Sequence, residues 1–464
     1  MRRIQLFGAV TLLLNGAIAI HAQDNSVTSS IDTLNVKMEQ VESDVSLIKK
    51  LKFSGYVQAQ WQKADTIGAP SVAGGNFSGY DNRFQIRRAR FKGSYSGENT
   101  QVVFQFDLKD DGSVKVKEAY GIYSEPFLKT LSLTAGIFNR PFGYEVEYSS
   151  STLESPERSR IMQTLFPDEC DLGAKLTIQA PKTSSLNIVK LDVGLFNGNA
   201  ITSETDKFKD IIAHLSVKKA VLNENLLLQG GVSYYNGGWA NPKSNIYKYN
   251  SDSLVFVLDP SFKNGDKLKR NYLGLDAQAT FSSVLGLTTI RGEYLWGTQT
   301  GTNSASKSPT GAVAGTSDKT TKIVVRDTIT KKDVPTTYTV SSPANFMIRD
   351  FSGGYVMFIQ RIMQSKHELV VKYDWYDPNT KAAGDEIGKS TIAANQKSST
   401  GDIKFTTLGL GWNYYITSNL KFTVYYDMVS NEKTSKIKGT GSGIDDYSKD
   451  LKDNVLTVRA LYKF

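Results

Sequence analysis

Cysteine and long apolar runs are scarce in this chain, and each shortage excludes a class of protein. The single cysteine, Cys170, cannot form an intrachain disulfide, so a disulfide-stapled fold is excluded. No second long apolar run follows the N-terminus, and the mean hydropathy is -0.31, which excludes a helical membrane protein. The strands of a membrane β-barrel are short and only half apolar, so they leave no such run. The composition therefore admits a large antiparallel barrel.

Catalytic and nucleic-acid-binding patterns are also missing. His214 and His367 are the histidines that follow the N-terminal segment, and neither lies in a serine-rich loop that suggests a Ser-His pair. The sequence contains no Gly-rich phosphate loop, zinc-ligand spacing or EF-hand loop, so we predict no enzyme, no cofactor and no metal site there. A metal bound by carboxylates of the long loops stays open. The net charge is +9, but no helix-turn-helix, finger or RNP pattern accompanies it, so no nucleic-acid partner is expected.

Residues 1–22 have the form of a secretory signal. Arg2 and Arg3 precede an apolar run from Ile4 to Leu14, and small residues lead to Ala22. We expect cleavage after Ala22. A membrane anchor is the alternative, although the run is short for a bilayer span.

Residues 23–51 carry an apolar stripe at alternating spacings of four and three, which is typical of a coiled coil. The stripe consists of Val27, Ile31, Leu34, Met38, Val41, Val45 and Ile48. A trimeric periplasmic bundle is the specific hypothesis, and a lone amphipathic helix is the alternative.

The stretch from Arg83 to Phe91 introduces the pattern of the remaining chain. At a two-residue period it places Arg88, Arg90 and Lys92 on one face, and Phe91 with Tyr95 on the other. Such a strand suits the wall of a water-filled barrel. The alternative is an edge strand of a soluble sheet with a solvated basic face.

Residues 52–464 repeat this alternation, and we predict an all-β, transmembrane antiparallel barrel of about 16 strands. The predicted strands are 53–62, 84–95, 101–109, 114–124, 131–139, 172–180, 186–196, 211–219, 226–236, 271–281, 287–296, 351–361, 366–376, 404–415, 420–429 and 454–464. The gaps after 172–180 alternate between short and long, as periplasmic turns and outer loops do. This parity places both barrel ends on the periplasmic side of the bacterial outer membrane.

Aromatic residues lie near the predicted strand ends, as in the girdles of membrane barrels. Trp61, Trp296 and Trp375 are expected at the outer ends, and Trp412 with Tyr414 at the inner rim. The last strand ends in Phe464, which resembles the terminal aromatic of bacterial outer-membrane barrels.

Seven short motifs follow in an order that resembles the phosphate-selective porin O/P family. They are Arg87-Arg88-Ala89-Arg90-Phe91, Phe104-Gln105-Phe106-Asp107, Lys117-Glu118-Ala119-Tyr120, Gly136-Ile137-Phe138, Pro141-Phe142-Gly143, Glu157-Arg158-Ser159 and Asp171-Leu172-Gly173. The resemblance implies a homotrimeric barrel for the passive uptake of anions such as phosphate. The motifs cover residues 83 to 173. The strand pattern and the terminal Phe464 extend the resemblance to the whole chain.

Residues 143–171 are expected to form the third outer loop, and they resemble the inward-folded loop that narrows general porins. An ordinary surface loop is the alternative. Acids outnumber bases between Arg140 and Asp171, which raises the cost of anion entry unless the carboxylates are paired or face away.

If the resemblance holds, six basic residues guide anions. They are Arg88, Arg90, Lys92 and Arg140, with Arg158 and Arg160 contributing from the loop. The alternative is that Arg88, Arg90 and Arg158 pair with Asp107, Glu118 or the loop acids and brace the wall.

The sequence thus predicts a porin for small hydrophilic solutes, with anions favoured by the resemblance. A non-selective general porin is the alternative. A surface adhesin or assembly barrel is a further one, because the Thr/Ser/Gly-rich segment from Gly297 to Ser342 is long enough to present an epitope.

Overall fold

The structure is a computed structural model, and its dominant feature is a closed antiparallel β-barrel. It describes residues 35–42, 45–46, 48–71, 75–108, 112–326, 333–389, 397–439 and 444–464. Sixteen strands form the wall: β1 (Leu51–Ala64), β2 (Asn82–Ser96), β3 (Thr100–Leu108), β4 (Val114–Ser124), β5 (Leu131–Asn139), β6 (Cys170–Gln179), β7 (Val189–Phe196), β8 (Asp210–Val221), β9 (Leu226–Ala240), β12 (Lys267–Ser283), β13 (Gly286–Thr302), β16 (Asn345–Ile362), β17 (His367–Asp377), β18 (Phe405–Tyr415), β19 (Leu420–Asn431) and β20 (Val455–Lys463). The prediction of sixteen strands is confirmed.

The last strand closes the barrel against the first. β20 pairs antiparallel with β1 from Tyr56↔Lys463 to Ala64↔Val455. Gly55 and Phe464 exchange two backbone hydrogen bonds of 3.0 Å each, so the terminal residue completes the ladder. Closure leaves the sheet without an edge, which is the condition for a sheet in lipid.

The connections differ at the two ends of the barrel. At one end β8 and β9, β12 and β13, β16 and β17, and β18 and β19 follow each other through turns of two to four residues, which we call the short-turn end. The opposite, long-loop end carries the connections that contain the additional elements. This alternation agrees with the predicted parity.

Side chains alternate between the outer surface and the lumen. On β3, Val102, Phe104, Phe106 and Leu108 are exposed, whereas Gln105 and Asp107 are buried in the lumen. On β17, Leu369, Val371 and Tyr373 are exposed, and Lys372 and Asp374 are buried. The wall is therefore apolar outside and polar inside, as lipid on one side and water on the other require. Among the described residues, no helix is both long and apolar enough to cross a bilayer.

Two aromatic clusters lie at opposite ends of β17. Trp375 stacks with Tyr294 and Tyr373 near the long-loop end, at ring separations of 6.3 and 5.9 Å. Near the short-turn end, His367 and Trp412 stack at 5.8 Å. The separation of eight positions from His367 to Trp375 corresponds to about 26 Å along the strand, close to the height of the apolar band in such barrels.

Several elements of the long-loop end were not predicted. Two hairpins occupy long loops: β10 (Asn245–Asn250) with β11 (Val255–Leu258), and β14 (Thr316–Arg326) with β15 (Asp333–Pro343). β12, β13 and β16 also extend beyond their predicted ends. β10 pairs in parallel with the start of β16, so this hairpin continues the wall above the barrel.

The described N-terminal residues, 35–42, 45–46 and 48–52, belong to a unit separate from the rest of the chain. Its described residues between 35 and 50 are helical, and the apolar side chains of Val36, Met38, Val41, Val45 and Ile48 are exposed. The predicted signal at 1–22 and the first part of the predicted coiled coil lie outside the described residues. Both stay predictions.

Candidate functional site

The connection between β5 and β6 folds into the barrel, and we call residues 140–169 the lumen loop. It contains one short helix, α1 (Arg160–Leu165). Gly143 turns the chain inward with a φ of +60°, and a Cβ there would lie 2.1 Å from Glu293 Oε2. Glycine is required because the same Glu293 carboxylate accepts the backbone N–H of Tyr144 and of Glu145.

Carboxylates of the lumen loop attach it to strands around the wall. Glu145 Oε1 lies 3.1 Å from Lys372 Nζ on β17. Glu154 Oε2 lies 3.1 Å from Arg291 Nη1 on β13. The backbone oxygens of Leu153 and Glu154 accept bonds from Lys421 on β19 and Asn413 on β18. The loop is therefore bound to the wall at several strands, as expected for an inward-folded loop and not for an ordinary surface loop.

An apolar cluster fills the part of the lumen around α1. Ile161, Met162 and Leu165 of α1 are buried with Phe142 and Phe166 of the loop. They pack against wall residues of β8 to β17, namely Ile212, Tyr235, Tyr272, Leu295, Phe351 and Tyr376. Close packing of this kind leaves no water-filled space between the helix and those strands.

Other parts of the lumen are open, and two adjoining cavities lie along β2 to β4. A cavity of about 250 Å³ faces the long-loop end, where Lys307 and Thr310 line it. A cavity of about 420 Å³ faces the short-turn end, where Gly55, Lys463 and Phe464 line it. Arg90, Lys117, Arg158 and Glu169 line both cavities. We call the two cavities together the basic path.

Basic side chains outnumber acidic ones along this path. Nine basic residues line it: Arg87, Arg88, Arg90, Lys92, Lys115, Lys117, Arg158, Lys307 and Lys463. Six acidic residues line it: Asp107, Glu118, Glu147, Glu157, Asp168 and Glu169. The formal excess is positive, and a narrow passage between low-dielectric walls strengthens its field.

Irregularities in β2 and β4 increase the number of charges that reach the lumen. The burial pattern of β2 changes phase between Arg87 and Arg88, so both guanidiniums contact the carboxylate of Glu157. The β3–β4 register shifts opposite Gln105 and Phe106, which places Lys117 and Glu118 on the path together. A bulge gives two consecutive residues the same face. Regular alternation therefore did not predict Arg87.

The six residues predicted to guide anions separate into two groups. Arg88, Arg90, Lys92 and Arg158 line the basic path. Arg140 donates to the backbone oxygens of Pro167 and Glu169 at 3.0 and 3.1 Å, at the base of the loop. Arg160 lies on the other side of the loop, beside a cavity of about 30 Å³, with its guanidinium over the ring of Phe405 at 4.2 Å.

Basic residues of the path form ion pairs with acids, as the alternative interpretation expected. Arg90 Nη2 lies 3.4 Å from Asp107, and Lys92 Nζ lies 2.9 Å from Glu118. Arg158 Nη1 lies 2.5 Å from Glu169. The acid excess of the loop is thus offset, because wall cations neutralise carboxylates that would otherwise oppose anion entry.

The pKa values of the loop acids reflect this pairing. Burial alone would raise the pKa of Glu157, but the charges of Arg87, Arg88 and Arg459 outweigh it and hold the pKa well below its usual range. Arg158 and Lys117 have the same effect on the pKa of Glu169. A lowered pKa means that the ion pairs persist as long as the pH stays above the folded-state value. Glu157 and Glu169 are therefore charged at neutral and mildly acidic pH.

Sequence reasoning missed several functional contacts. Arg459 of β20 reaches the same Glu157 at 2.9 Å, and Arg291 and Lys372 hold the loop through Glu154 and Glu145. His214 pairs with Asp276 on β12 at 3.0 Å. These partners are far apart in the sequence, so spacing carries no signal for them. Among the described residues, no group of His, Cys, Asp or Glu is placed to hold a metal ion.

A closed barrel with an apolar exterior and a loop bound across its polar lumen defines a β-barrel protein of the bacterial outer membrane.

The sequence matches no protein-family model and no curated protein. Three solved structures illustrate what its backbone is similar to. The outer membrane channel DcaP of Acinetobacter baumannii has a TM-score of 0.47 at 12% identity, with 89% of this chain and 97% of that chain covered. An anion-selective porin from Comamonas acidovorans has 0.47 at 10%, with 89% and 99% covered. OmpF of Salmonella typhi in complex with daunomycin has 0.47 at 12%, with 89% and 97% covered. Similarity at this level identifies neither a family nor a solute.

Proposed function

We propose that this protein is an outer-membrane porin through which small hydrophilic anions, phosphate among them, diffuse passively. The observation that carries the proposal is the basic path, with nine basic and six acidic side chains beside the inward-folded loop. The pairing of the loop carboxylates supports it, because a loop with free acids would repel anions. Diffusion through such a path requires no cofactor and no chemical step.

Selectivity in this proposal comes from weak, repeated contacts. Arg90 and Lys92 each form one ion pair, so their remaining N–H groups replace part of the hydration shell of a passing anion. The wall acids limit the strength of each contact, and an anion is released toward the next cation. We further propose a homotrimer, in which the apolar stripe at 23–51 forms a short bundle with its copies.

The test is the reversal potential of the purified mature protein in planar bilayers under a KCl gradient, followed by titration of phosphate. We expect anion-selective current that phosphate blocks. The double variant Arg90→Gln/Lys92→Gln removes two cations from the path and leaves Glu157 and its partners intact. It should lower the anion-to-cation permeability ratio several-fold and weaken the phosphate block.

Arg361→Gln is the matched control, because Arg361 is a lumen arginine of β16 paired with Glu368 and lies outside the basic path. It should leave selectivity close to that of the wild type. A non-selective current without block in the wild-type protein would favour a general porin. A protein that folds but conducts nothing would favour the adhesin alternative.

A further inference from the structure

Glu157 differs from the other loop acids in the number of cations that hold it. Arg87 donates to both carboxylate oxygens at 2.9 Å each, and Arg88 donates to both at 3.1 and 2.7 Å. Arg459 adds a bond of 2.9 Å. Glu145 and Glu154, by comparison, each form one wall ion pair. Three guanidiniums thus converge on a single carboxylate.

Two of these guanidiniums have further partners on the wall. Arg88 Nη1 donates to Gln58 Oε1 at 3.0 Å. Arg459 donates to Gln60 Oε1 from Nε and Nη2 at 3.0 and 2.5 Å. These glutamines lie on β1, and Gln58 also donates to the loop oxygen of Ser150 at 3.0 Å. Arg88 and Arg459 thus have wall partners besides Glu157, which preorganises the cluster as an oxyanion site.

The cluster borders the cavity that faces the long-loop end. Arg87, Arg88 and Glu157 line that cavity with Lys115, Lys117 and other cations of the path. The carboxylate is bound by paired guanidinium N–H groups, which is the way a phosphate or a solute carboxylate is bound. An anion that enters from the long loops therefore meets this site already occupied.

We propose that Glu157 is a tethered carboxylate that occupies the strongest oxyanion site of the path and thereby determines which anions pass freely. This inference rests on the proposed anion channel. Three unneutralised guanidiniums would hold a divalent oxyanion long enough to block the path, and conduction requires sites that release their ions. Glu157 removes one unit of positive charge and fills the position where a phosphate or carboxylate would be retained.

The test compares Glu157→Gln with Glu145→Gln in the bilayer assay with phosphate. Glutamine keeps the shape of the side chain and removes its charge. We expect Glu157→Gln to lower the half-blocking phosphate concentration roughly tenfold, which corresponds to about 1.4 kcal/mol. Glu145→Gln, on the same loop with a single wall partner, should leave it unchanged. Adding Arg459→Gln to Glu157→Gln should return the value toward wild type, because the site then regains its original net charge.

Three outcomes would overturn the inference: an unchanged phosphate block in Glu157→Gln, an equal shift in Glu145→Gln, or a larger current without stronger block. The last two would show that Glu157 acts only as a loop anchor. The proposed function fails separately, if the wild-type protein does not prefer anions. A tighter block in Glu157→Gln would still support the oxyanion site in that case.

Discussion

The acids at the long-loop end differ in whether their carboxylates accept hydrogen bonds. Asp453, just before β20, is 1% exposed, and both of its carboxylate oxygens lack a hydrogen-bond partner among the described residues. Burial raises its pKa to about 7, and Asp450 adds to the effect while Arg160 opposes it. Because the folded-state pKa lies above the unfolded value, the folded protein binds an additional proton between about pH 4 and pH 7. This group therefore lowers stability as the pH rises through that interval.

We predict that Asp453→Asn stabilises the protein at pH 8 by up to a few kcal/mol, with a smaller gain at pH 5. The amide removes the cost of a buried, unpaired charge. Denaturant unfolding followed by circular dichroism at both pH values measures the difference. The control is Asp446→Asn in the same loop, since hydrogen bonds from Ser448 lower the pKa of Asp446. That variant should not gain stability at pH 8, and equal gains in both variants would contradict the explanation.

At the scale of elements, period-two alternation was sufficient to predict the sixteen wall strands. It succeeded because lipid and water impose opposite polarity on successive residues, as on β3 and β17. It failed where that constraint ends. The hairpins β10–β11 and β14–β15 lie beyond the barrel wall, and α1 is a six-residue helix whose apolar side chains pack inside the lumen.

The candidate site was predictable only in part for a similar reason. Arg88, Arg90 and Lys92 followed from alternation along β2, and Arg158 followed from a motif. Arg87 required a change of phase in the strand, and Arg459 required barrel closure, which joins β20 to β1. Local patterns carry no information on contacts between residues three hundred positions apart.

The β14–β15 hairpin can be removed without opening the wall. Ala344 N–H donates to Gly315 O at 2.9 Å, so the two ends of the hairpin already meet. We predict that replacing residues 316–343 with Asn-Gly preserves folding, because a two-residue turn connects antiparallel strands at this separation. Heat-resistant migration on gels and single-channel conductance measure the result.

A contrasting change in a neighbouring loop serves as the control. Asp402, in the loop before β18, pairs with fully buried Arg349 at 2.8 Å, so Asp402→Ala leaves an unpaired buried charge. It should destabilise the protein by about 3–5 kcal/mol. If the hairpin deletion abolished the barrel and Asp402→Ala did not destabilise it, the fold would depend on the hairpin and not on the Arg349–Asp402 ion pair. Loss of cell adhesion alone after the deletion would support the adhesin alternative.

At the scale of the whole molecule, the lumen is divided by the loop into two unequal sides. α1 and its apolar neighbours fill the lumen beside parts of β8 to β17, and the basic path runs along β2 to β4. In the proposed porin, we therefore expect most of the ion flow along β2 to β4. The small cavity of about 30 Å³ on the β17–β19 side has room for about one water molecule.

Cysteine labelling tests this asymmetry with two wall residues of equal burial. Gln105 on β3 and Thr407 on β18 are each 8% exposed, but Gln105 lines the basic path and Thr407 lines the small cavity. In a Cys170→Ser background, we predict that a water-soluble maleimide reduces the current of Gln105→Cys at least by half and leaves that of Thr407→Cys unchanged. The reagent must diffuse to its thiol through water, and the basic path provides that space beside Gln105, whereas the cavity of about 30 Å³ beside Thr407 does not. An equal loss of current from both positions would mean that ions also pass on the β17–β19 side, and selectivity would then depend on Asp374 and Asp427 as well as on the arginines of β2.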